Sequence, residues 1–548
     1  EGYCECAACR SVARAEGSQA GPMLRFVNAV AKATSKIFPN KLIDTLAYQY
    51  TLDVPRLTKP HSHVRVRLCP ISCCQGHAFG TCGHPETRRF LRAFEGWGKL
   101  TDRIYIWHYA TNFSHYILPM PDFDELHANI NYYRRAGVRG VFIQGMYEDG
   151  GGAEAAELRS YLVGKLLWNP AQPVWPLVDE FLAACYGAAA PRVRKYFDLF
   201  HARVRRDLGL HPSLSDTPAH PLFHGPILDR ADAALRAGEA RVRGAERRRV
   251  RQLRDGVAYA RLFRPVYRLE GDVYRAGGSP AGRRTFLAMA RRWKAAGMRR
   301  IDQGVDLDAS VRKLSLRFAD HPVQWLRAAD QAIAVVPAFA GRLLEWHAYG
   351  RQWLAAPKPA DSYSAYPAPE GYAEHPAFAA RRPGAERVRC RRQGDGLTMV
   401  LDHGEGLRTV RACAWRDGSL HIASRLENCG RSPVEVTWGA GFHFLLPDGG
   451  TVRFRAGDGE HALAWKALRN GLVSATVLEG EQMPAGGWRV DVPGFRIVHV
   501  FGGDRITRAI VGKVEAEHRL ALDVRTAPVS LSPGQAISMT HVVRIERR

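Results

Sequence analysis

Two stretches decide the fold prediction: Tyr105–Tyr116 reads YIWHYATNFSHY, and Val141–Tyr147 reads VFIQGMY. Each begins as a short run of β-branched and aromatic residues, stops at polar and aromatic residues, and precedes an amphipathic helical pattern. In (β/α)8 barrels, strands deliver such side chains to the carboxyl-end face, where barrel enzymes keep their sites. Strand, loop and helix recur four times between Lys41 and Trp168. The pattern predicts the C-terminal half of a (β/α)8 TIM-like barrel.

The four predicted strands can be located by their content of β-branched and aromatic residues. They are Leu42–Thr51, Val64–Cys73, the run IYIWHY and the run GVFIQG. Half a barrel would leave sheet edges unpaired. We therefore expect four further strands upstream of Glu1, and expect the sequence to be a fragment.

The rest of the chain predicts a domain order of the α/β plus β class. Residues 1–170 are assigned to the partial barrel, and residues 171–356, rich in Ala, Leu and Arg, to a helical domain. Residues 357–383, rich in Pro, Ala and Tyr, are a linker. Residues 384–548 alternate apolar and polar residues between Gly, Asp and Asn, which is typical of an antiparallel β-sandwich.

The net charge of +24 invites a nucleic-acid hypothesis, which the distribution of charge argues against. Arginine outnumbers lysine about five to one, and the basic residues are spread along the chain. A nucleic-acid binder concentrates them on one face or arm. The exception is the helical run Arg241–Arg254, which we interpret as a solvated helix face. We expect no nucleic-acid partner, and the absence of an 18-residue apolar run predicts no membrane span.

Eleven cysteines cannot all pair within one chain. Cys4, Cys6 and Cys9 form one cluster, and a second cluster has His77 and His84 nearby: Cys69, Cys73, Cys74 and Cys82. Thiolates and imidazoles suit zinc, but the C-x-C-x2-C spacing is not that of paired zinc-ribbon cysteines. Disulfides and plain loop cysteines stay open as alternatives, and we assign neither metal ligand nor cofactor.

Aromatic and amide side chains near the strand ends predict a sugar site, since sugar rings present apolar CH faces and hydroxyl groups. The candidate substrate-binding residues are Tyr48, Tyr50, Arg67, Trp107, Tyr109, Asn112, Gln144 and Tyr147. Alternation sends Trp107 and Tyr109 to one face of the strand and His108 to the other, so some of these residues are core. Arg67 would bind a carboxylate or sit in a buried ion pair.

Glycoside hydrolysis needs a proton donor and a second carboxylate or an acetamido group held in place. His108 and Glu148 are the candidate catalytic residues. The competing interpretations are a structural histidine and a solvated loop carboxylate. Asp124 and Glu125 are adjacent carboxylates, but their position at a helix start favours capping by Asp122 or Asp124 over a catalytic pair.

The N-terminal third, Tyr3 to Tyr196, resembles glycoside hydrolase family 163, a former domain of unknown function with endo-β-N-acetylglucosaminidase members. The matching stretches are YCECAAC, TLAYQYT, VRLCPISC, YIWHYATNFSHY, GVFIQG and ELRSYLVGKLLWNP. The resemblance implies hydrolysis of β-linked N-acetylglucosamine in glycans, a glycan partner, and a secreted or periplasmic location. It leaves the oligomeric state open.

Two departures from the family pattern bear on activity. Family members carry acidic residues where this chain has His108 and Ile143. The related hexosaminidase barrels also imply an acid/base pair just upstream of Glu1. A catalytically impaired carbohydrate-binding protein and a uronic-acid-directed glycosidase are therefore alternative functions. In the sandwich, His443 resembles the sugar-site histidine of epimerase-like folds, although no partner acid is evident from the sequence.

Overall fold

The computed structural model divides the chain into two compact units, Glu1–Arg264 with Ala288–Leu307, and Pro265–Leu287 with Asp308–Arg548. The structure describes residues 4, 6–146, 152–264, 268–275, 278–354, 371–377, 387–404, 406–446, 450–464, 474–514 and 519–548. Within these residues, no helix has both the length and the apolar character needed to cross a membrane.

The first unit is built on a four-stranded parallel sheet in the order β1-β2-β3-β4. Its strands are β1 (Ile43–Ala47), β2 (Val64–Leu68), β3 (Ile104–Tyr109) and β4 (Gly140–Gln144). Sequential parallel neighbours are what consecutive βα units produce, so the four predicted strands are confirmed. Closure of a complete barrel is not shown and stays a prediction.

Between β1 and β2, where every residue is described, there is only the one-turn helix Gln49–Thr51, whereas α-helices precede β1 and follow β2, β3 and β4. They are α1 (Ala7–Glu16), α2 (Ala20–Thr34), α3 (Pro85–Leu100), α4 (Phe123–Arg135), α5 (Ala156–Trp168), α6 (Val174–Tyr186), α7 (Ala190–Arg206), α8 (Ile227–Glu239) and α9 (Gly244–Phe263). The core lies between helices and sheet, where Leu24, Phe90 and Trp97 pack against Val66 and Ile106. One face of every strand is thereby committed to packing.

The basic run Arg241–Arg254 lies largely at the surface, as the sequence predicts, with Arg241, Arg243 and Arg248 exposed, but several of its arginines pair with acids. Glu239, buried on α8, accepts hydrogen bonds from Arg247, Arg251 and Arg254. Arg254 also binds Asp232, with 2.7 Å between Nε and Oδ1. Several of the arginines therefore neutralise acids of the neighbouring helix.

The boundary of the predicted helical domain is wrong at its C-terminal end. The helices α10 (Pro280–Ala295) and α11 (Leu307–Ser315) are followed by strands, starting with β7 at Asp320. Strand β12 (Gly371–Ala377) falls inside the predicted linker and pairs with the sandwich strand Val434–Leu445. The composition rich in Ala, Leu and Arg misled the prediction because a strand buried on both faces lacks alternation.

The second unit consists mainly of two large antiparallel sheets. Its strands are β5 (Arg268–Glu270), β6 (Val273–Arg275), β7 (Asp320–Pro322), β8 (Gln324–Ala328), β9 (Gln331–Val336), β10 (Arg342–Ala348), β11 (Arg351–Gln352), β12, β13 (Arg387–Gln393), β14 (Gly396–Gly404), β15 (Leu407–Arg416), β16 (Ser419–Asn428), β17 (Val434–Leu445), β18 (Thr451–Ala456), β19 (Gly459–Ala464), β20 (Ser474–Glu479), β21 (Gly487–Val492), β22 (Phe495–Gly503), β23 (Ile506–Val514), β24 (Arg519–Thr526), β25 (Val529–Leu531) and β26 (Ala536–Arg547). Strands β5, β6 and β7 form a small separate sheet. The antiparallel sandwich predicted for the C-terminal region is confirmed.

The two large sheets share one apolar core that encloses polar networks. One sheet has the order β20-β23-β24-β17-β12-β10-β9-β8 and the other β13-β14-β15-β16-β26-β22-β21-β18-β19. Glu374 of the first sheet accepts hydrogen bonds from Arg411 and Ser424 of the second. Because a buried charge is tolerated only with its partner, this pair fixes how the two sheets face each other.

Two buried histidines form a hydrogen-bonded chain in the same core. Trp488 Nε1 donates to His499 Nδ1 at 2.8 Å, and His499 Nε2 lies 2.9 Å from His541 Nδ1. Because the first contact makes His499 Nδ1 an acceptor, its Nε2 carries the proton and donates onward. Burial lowers the pKa of His541 to about 4 and that of His499 well below its usual value.

These histidines predict that the second unit loses stability in mild acid. The unfolded chain takes up protons near pH 6.5, whereas the folded core accepts none until about pH 4. Between these values, the free energy of unfolding falls as pH falls, by about 1.4 kcal/mol per pH unit for each histidine. Denaturant unfolding at several pH values measures the slope. The substitution His541→Asn should reduce this slope. His421→Asn is the control, because His421 is partly exposed, and it should leave the slope unchanged. Equal slopes in the wild type and both variants would contradict the assignment.

Candidate functional site

Strand alternation gives the four-stranded sheet two unlike faces. The helix-facing side carries Val64, Val66, Ile104 and Ile106, which are buried. The other side, termed the inner face, carries the intervening residues of each strand: Asp44 and Leu46 on β1, Arg65 and Arg67 on β2, Tyr105, Trp107 and Tyr109 on β3, and Phe142 and Gln144 on β4. Polar and aromatic residues therefore collect on one side.

Trp107 and Gln144 are joined at the carboxyl end of the inner face. The register pairs Trp107 with Phe142 and Tyr109 with Gln144. Trp107 Nε1 donates to Gln144 Oε1 at 2.9 Å, and the indole meets the Phe142 ring edge-to-face with centroids 4.9 Å apart. The indole is half-buried and its edge is fixed by an amide. This is the part of the predicted sugar site that the structure brings together.

Tyr48 and Tyr109 extend the same patch. They pack in one cluster with Cys69, Trp107 and Phe113 beside the strand ends. Burial raises the pKa of Cys69 to about 12 and that of Tyr109 above its usual value, so both groups are protonated at neutral pH. Tyr50 lies in the one-turn helix Gln49–Thr51 that follows β1.

Arg67 forms an ion pair, which is one of the two interpretations that the sequence allows. Its Nη2 lies 2.6 Å from Asp44 Oδ2, and Arg65 binds the same carboxylate at 3.1 Å. Arg65 also stacks over the Tyr105 ring at 4.5 Å. Two guanidinium groups share one carboxylate, which leaves this end of the inner face with a net positive charge.

His108 lies away from the inner face, so the structure does not support it as a catalytic residue. It is buried against α4, where Nδ1 lies 3.0 Å from the Tyr133 hydroxyl and Nε2 lies 3.4 Å from Glu125 Oε2. Alternation along β3 turns it to the helix side while Trp107 and Tyr109 face inward. The structural-histidine interpretation holds for this residue.

Asn112 holds a loop in place and does not belong to the predicted sugar site. Its Oδ1 accepts the backbone N–H groups of Ser114 and His115, both at 2.9 Å, and its Nδ2 donates to the carbonyl of Asp216. Both ends of the amide are therefore engaged by backbone. Glu148 and Tyr147, the other predicted loop residues, lie outside the described residues.

The adjacent acids at the start of α4 act neither as a catalytic pair nor as caps. Asp124 accepts from Trp175 and Arg205, both at 2.8 Å. Burial opposes its ionisation, but hydrogen bonds from His201 and Arg205 hold its pKa well below the usual range. Glu125 faces His108, and burial raises its pKa. Asp122 is at the cap position but makes no side-chain cap bond.

A buried charge network that the sequence did not reveal fixes the loops at the carboxyl end. Arg159 of α5 donates to both carboxylate oxygens of Asp122, at 3.0 and 2.8 Å, and to Glu154 at 3.2 Å. Tyr196 of α7 donates to the other Glu154 oxygen at 2.9 Å. Burial raises the pKa of Glu154, although Arg159 and Tyr196 favour its charged form. These ion pairs and hydrogen bonds thus connect the loops after β3 and β4 to α5 and α7.

A cavity of about 180 Å³ opens between these loops and α5. Its lining includes Thr111, Ile143, Met146, Arg159 and Ser160. The cavity is large enough for a few waters or one small group, and it is too small for an oligosaccharide.

Cysteine and histidine side chains converge in the loop between β2 and α3. One ligand atom each from Cys74, His77, Cys82 and His211 lies within 4.8 Å of the others. The first three residues belong to the cluster noted in the sequence, whereas His211 lies more than 120 residues further on, after α7. Cys69 and Cys73 pack in apolar clusters instead.

In the sandwich, the structure supplies the acid that the sequence did not show for His443. Asp523 of β24 lies 3.9 Å from His443 Nε2, and burial raises its pKa to about 6. The register places Asp523 opposite Gly441. A Cβ at position 441 would collide with the Asp523 carboxylate, so the glycine makes room for the acid.

One family model and several solved structures are similar to parts of the chain. Residues 1–198 match a family model described as a domain of unknown function (DUF4838), and no curated protein matches the chain. Galactose 1-epimerase from Lactobacillus acidophilus NCFM is similar at 11% identity and a TM-score of 0.31, over 42% of this chain and 95% of that one. A galactose mutarotase-like protein from Lactobacillus casei ATCC 334 shows 10% identity and a TM-score of 0.30, over 41% and 100%.

The Arg159 network predicts a large loss of stability when its cation is removed. Arg159→Met leaves the carboxylates of Asp122 and Glu154 buried without their partner, which costs about 3–5 kcal/mol. Urea-induced unfolding followed by circular dichroism measures this. Arg139→Met is the matched control, because Arg139 and Asp102 form an exposed pair at 3.1 Å and such pairs contribute about 1 kcal/mol or less. Equal losses in both variants would show that the network does not hold the unit together.

Proposed function

We propose that the protein binds glycans containing β-linked N-acetylglucosamine on the inner face of the parallel sheet, as a glycoside-hydrolase-type protein similar to family 163. The patch formed by Tyr48, Trp107, Tyr109 and Gln144 is the binding surface. The observation that carries the proposal is the half-buried indole of Trp107, held at its edge by Gln144 Oε1 at 2.9 Å.

An indole held in this way is suited to a sugar ring. Aromatic faces pack against the axial CH groups of pyranosides, while amides and phenols bind hydroxyl and acetamido groups. Because Gln144 and Phe142 fix the indole before a ligand arrives, little side-chain freedom is lost on binding. A positioned aromatic platform beside polar groups supports carbohydrate recognition.

The described residues support binding better than catalysis. Asp44 is the carboxylate that the described strands place on the inner face, and two arginines hold it. Arg65 and Arg67 already occupy both oxygens of this carboxylate. The charge pattern of Arg65, Arg67 and Asp44 favours an acidic sugar as the alternative ligand, since guanidinium groups bind carboxylates.

Hydrolysis of the same β-linked N-acetylglucosaminides is the second candidate function. The order of the four parallel strands favours it, because it matches consecutive units of a barrel whose sites lie at the carboxyl ends. Glu148, four residues after Gln144 in the sequence, is the proposed proton donor. The family resemblance supports this assignment.

Removing the indole should weaken glycan binding. For Trp107→Ala we expect the Kd for a chitobiose-containing oligosaccharide to rise about tenfold, equivalent to about 1.4 kcal/mol, measured by isothermal titration calorimetry. Trp168→Ala is the control, because Trp168 is 91% exposed at the end of α5. If the wild-type protein binds a uronic-acid oligosaccharide but not chitobiose, the substrate class is wrong. If both variants bind like the wild type, the site is wrong.

A separate experiment tests catalysis. Wild-type protein incubated with an N-glycan should release a shorter glycan detectable by mass spectrometry, and Glu148→Gln should abolish release while binding remains. The neighbouring Asp149→Asn should retain activity. Absence of release by a wild-type protein that binds the glycan would reject hydrolysis and leave the binding function standing.

A further inference from the structure

We propose that Cys74, His77, Cys82 and His211 bind one zinc ion that fixes the loop between β2 and α3. The four ligand atoms lie within 4.8 Å of one another. Two thiolates and two imidazoles are a donor set that zinc prefers in a tetrahedral arrangement, and four protein ligands make a closed, structural site.

The distances match such a site. Bond lengths of about 2.3 Å to sulfur and about 2.0 Å to nitrogen at tetrahedral angles place sulfur and nitrogen ligands roughly 3.6 Å apart. Cys74 Sγ lies 3.3 Å from His77 Nδ1, and Cys82 Sγ lies 4.0 Å from His211 Nδ1. Both observed separations lie close to the expected one.

The orientation of His77 fits a metal ligand. Its Nε2 lies 3.0 Å from the carbonyl oxygen of Val204. Because a carbonyl oxygen only accepts, Nε2 carries the proton, and Nδ1 presents its lone pair to the cluster. Metal-bound histidines commonly donate their second ring nitrogen to a backbone carbonyl in this way.

The sulfur atoms of Cys74 and Cys82 also make the hydrogen-bond contacts expected of metal ligands. The backbone N–H of Gly76 donates to Cys74 Sγ at 3.4 Å, and the Thr87 hydroxyl lies 3.6 Å from Cys82 Sγ. Thr87 also accepts the backbone N–H of Cys74 at 3.1 Å. These contacts orient both sulfurs towards one point.

The ion would connect segments that are distant in sequence. Cys74, His77 and Cys82 precede α3, and His211 follows α7. The backbone of Gln75 already donates to Pro212 at 2.7 Å. A zinc ion there would hold the loop that follows the carboxyl end of β2, so it stabilises the unit without taking part in glycan binding.

The test uses the full chain with Cys4→Ser, Cys6→Ser and Cys9→Ser, because those three cysteines form a second group of metal-ligand type. Purified under reducing conditions, this parent should contain one zinc per chain by elemental analysis. Cys82→Ser and His211→Ala should reduce zinc to a trace. Cys73→Ala should retain it, because Cys73 is buried in the apolar core outside the cluster.

Cobalt substitution keeps the proposal testable if the variants unfold. The cobalt-loaded parent should show intense tetrahedral d–d absorption and thiolate-to-cobalt charge transfer. His84→Ala should leave both unchanged, although the His84 ring lies 4.9 Å from that of His211. A metal-free parent that takes up no cobalt, a Cys74–Cys82 disulfide found by mass, or full zinc occupancy in Cys82→Ser or His211→Ala would overturn the proposal.

Discussion

The arrangement of the loops at the carboxyl end of the parallel sheet depends on the ion pairs of the buried Arg159 guanidinium. This guanidinium reaches Asp122 in the loop after β3 and Glu154 in the loop after β4, and Glu154 extends the network to Tyr196 on α7. A buried charge triad adds little net stability, but it is costly to disrupt, because each member needs the others. Such a network selects one arrangement of the loops.

The sequence predicted the sheet well because strand alternation has a period of two. It placed four strands within a few residues of their observed bounds and put Trp107 and His108 on opposite faces. The contact between Trp107 and Gln144 depends on the register between β3 and β4, which alternation alone does not specify. Asn112 was misplaced because an amide that accepts backbone N–H groups in a loop has the same composition as one that binds a ligand.

Contacts between side chains that are far apart in the sequence could not be predicted, for a physical reason. The partners of Cys82 and Asp122 lie later in the chain: His211 follows α7, and Arg159 is in α5. No local spacing encodes such a meeting, since it is set by helix packing. The strands β9 and β10 were missed for a different reason: Ala334, Val335 and Val336 are buried in succession, without the alternation that marks a half-exposed strand.

The glycine opposite Asp523 has a consequence for how this sandwich can diverge. Since the carboxylate occupies the space where a side chain at position 441 would stand, an alanine there requires the carboxylate to move away. Loss of the acid would in turn leave a gap that a larger residue at position 441 can fill. The two positions are therefore expected to change together, and the residue at position 441 in a related sequence should indicate whether the histidine still has its acid.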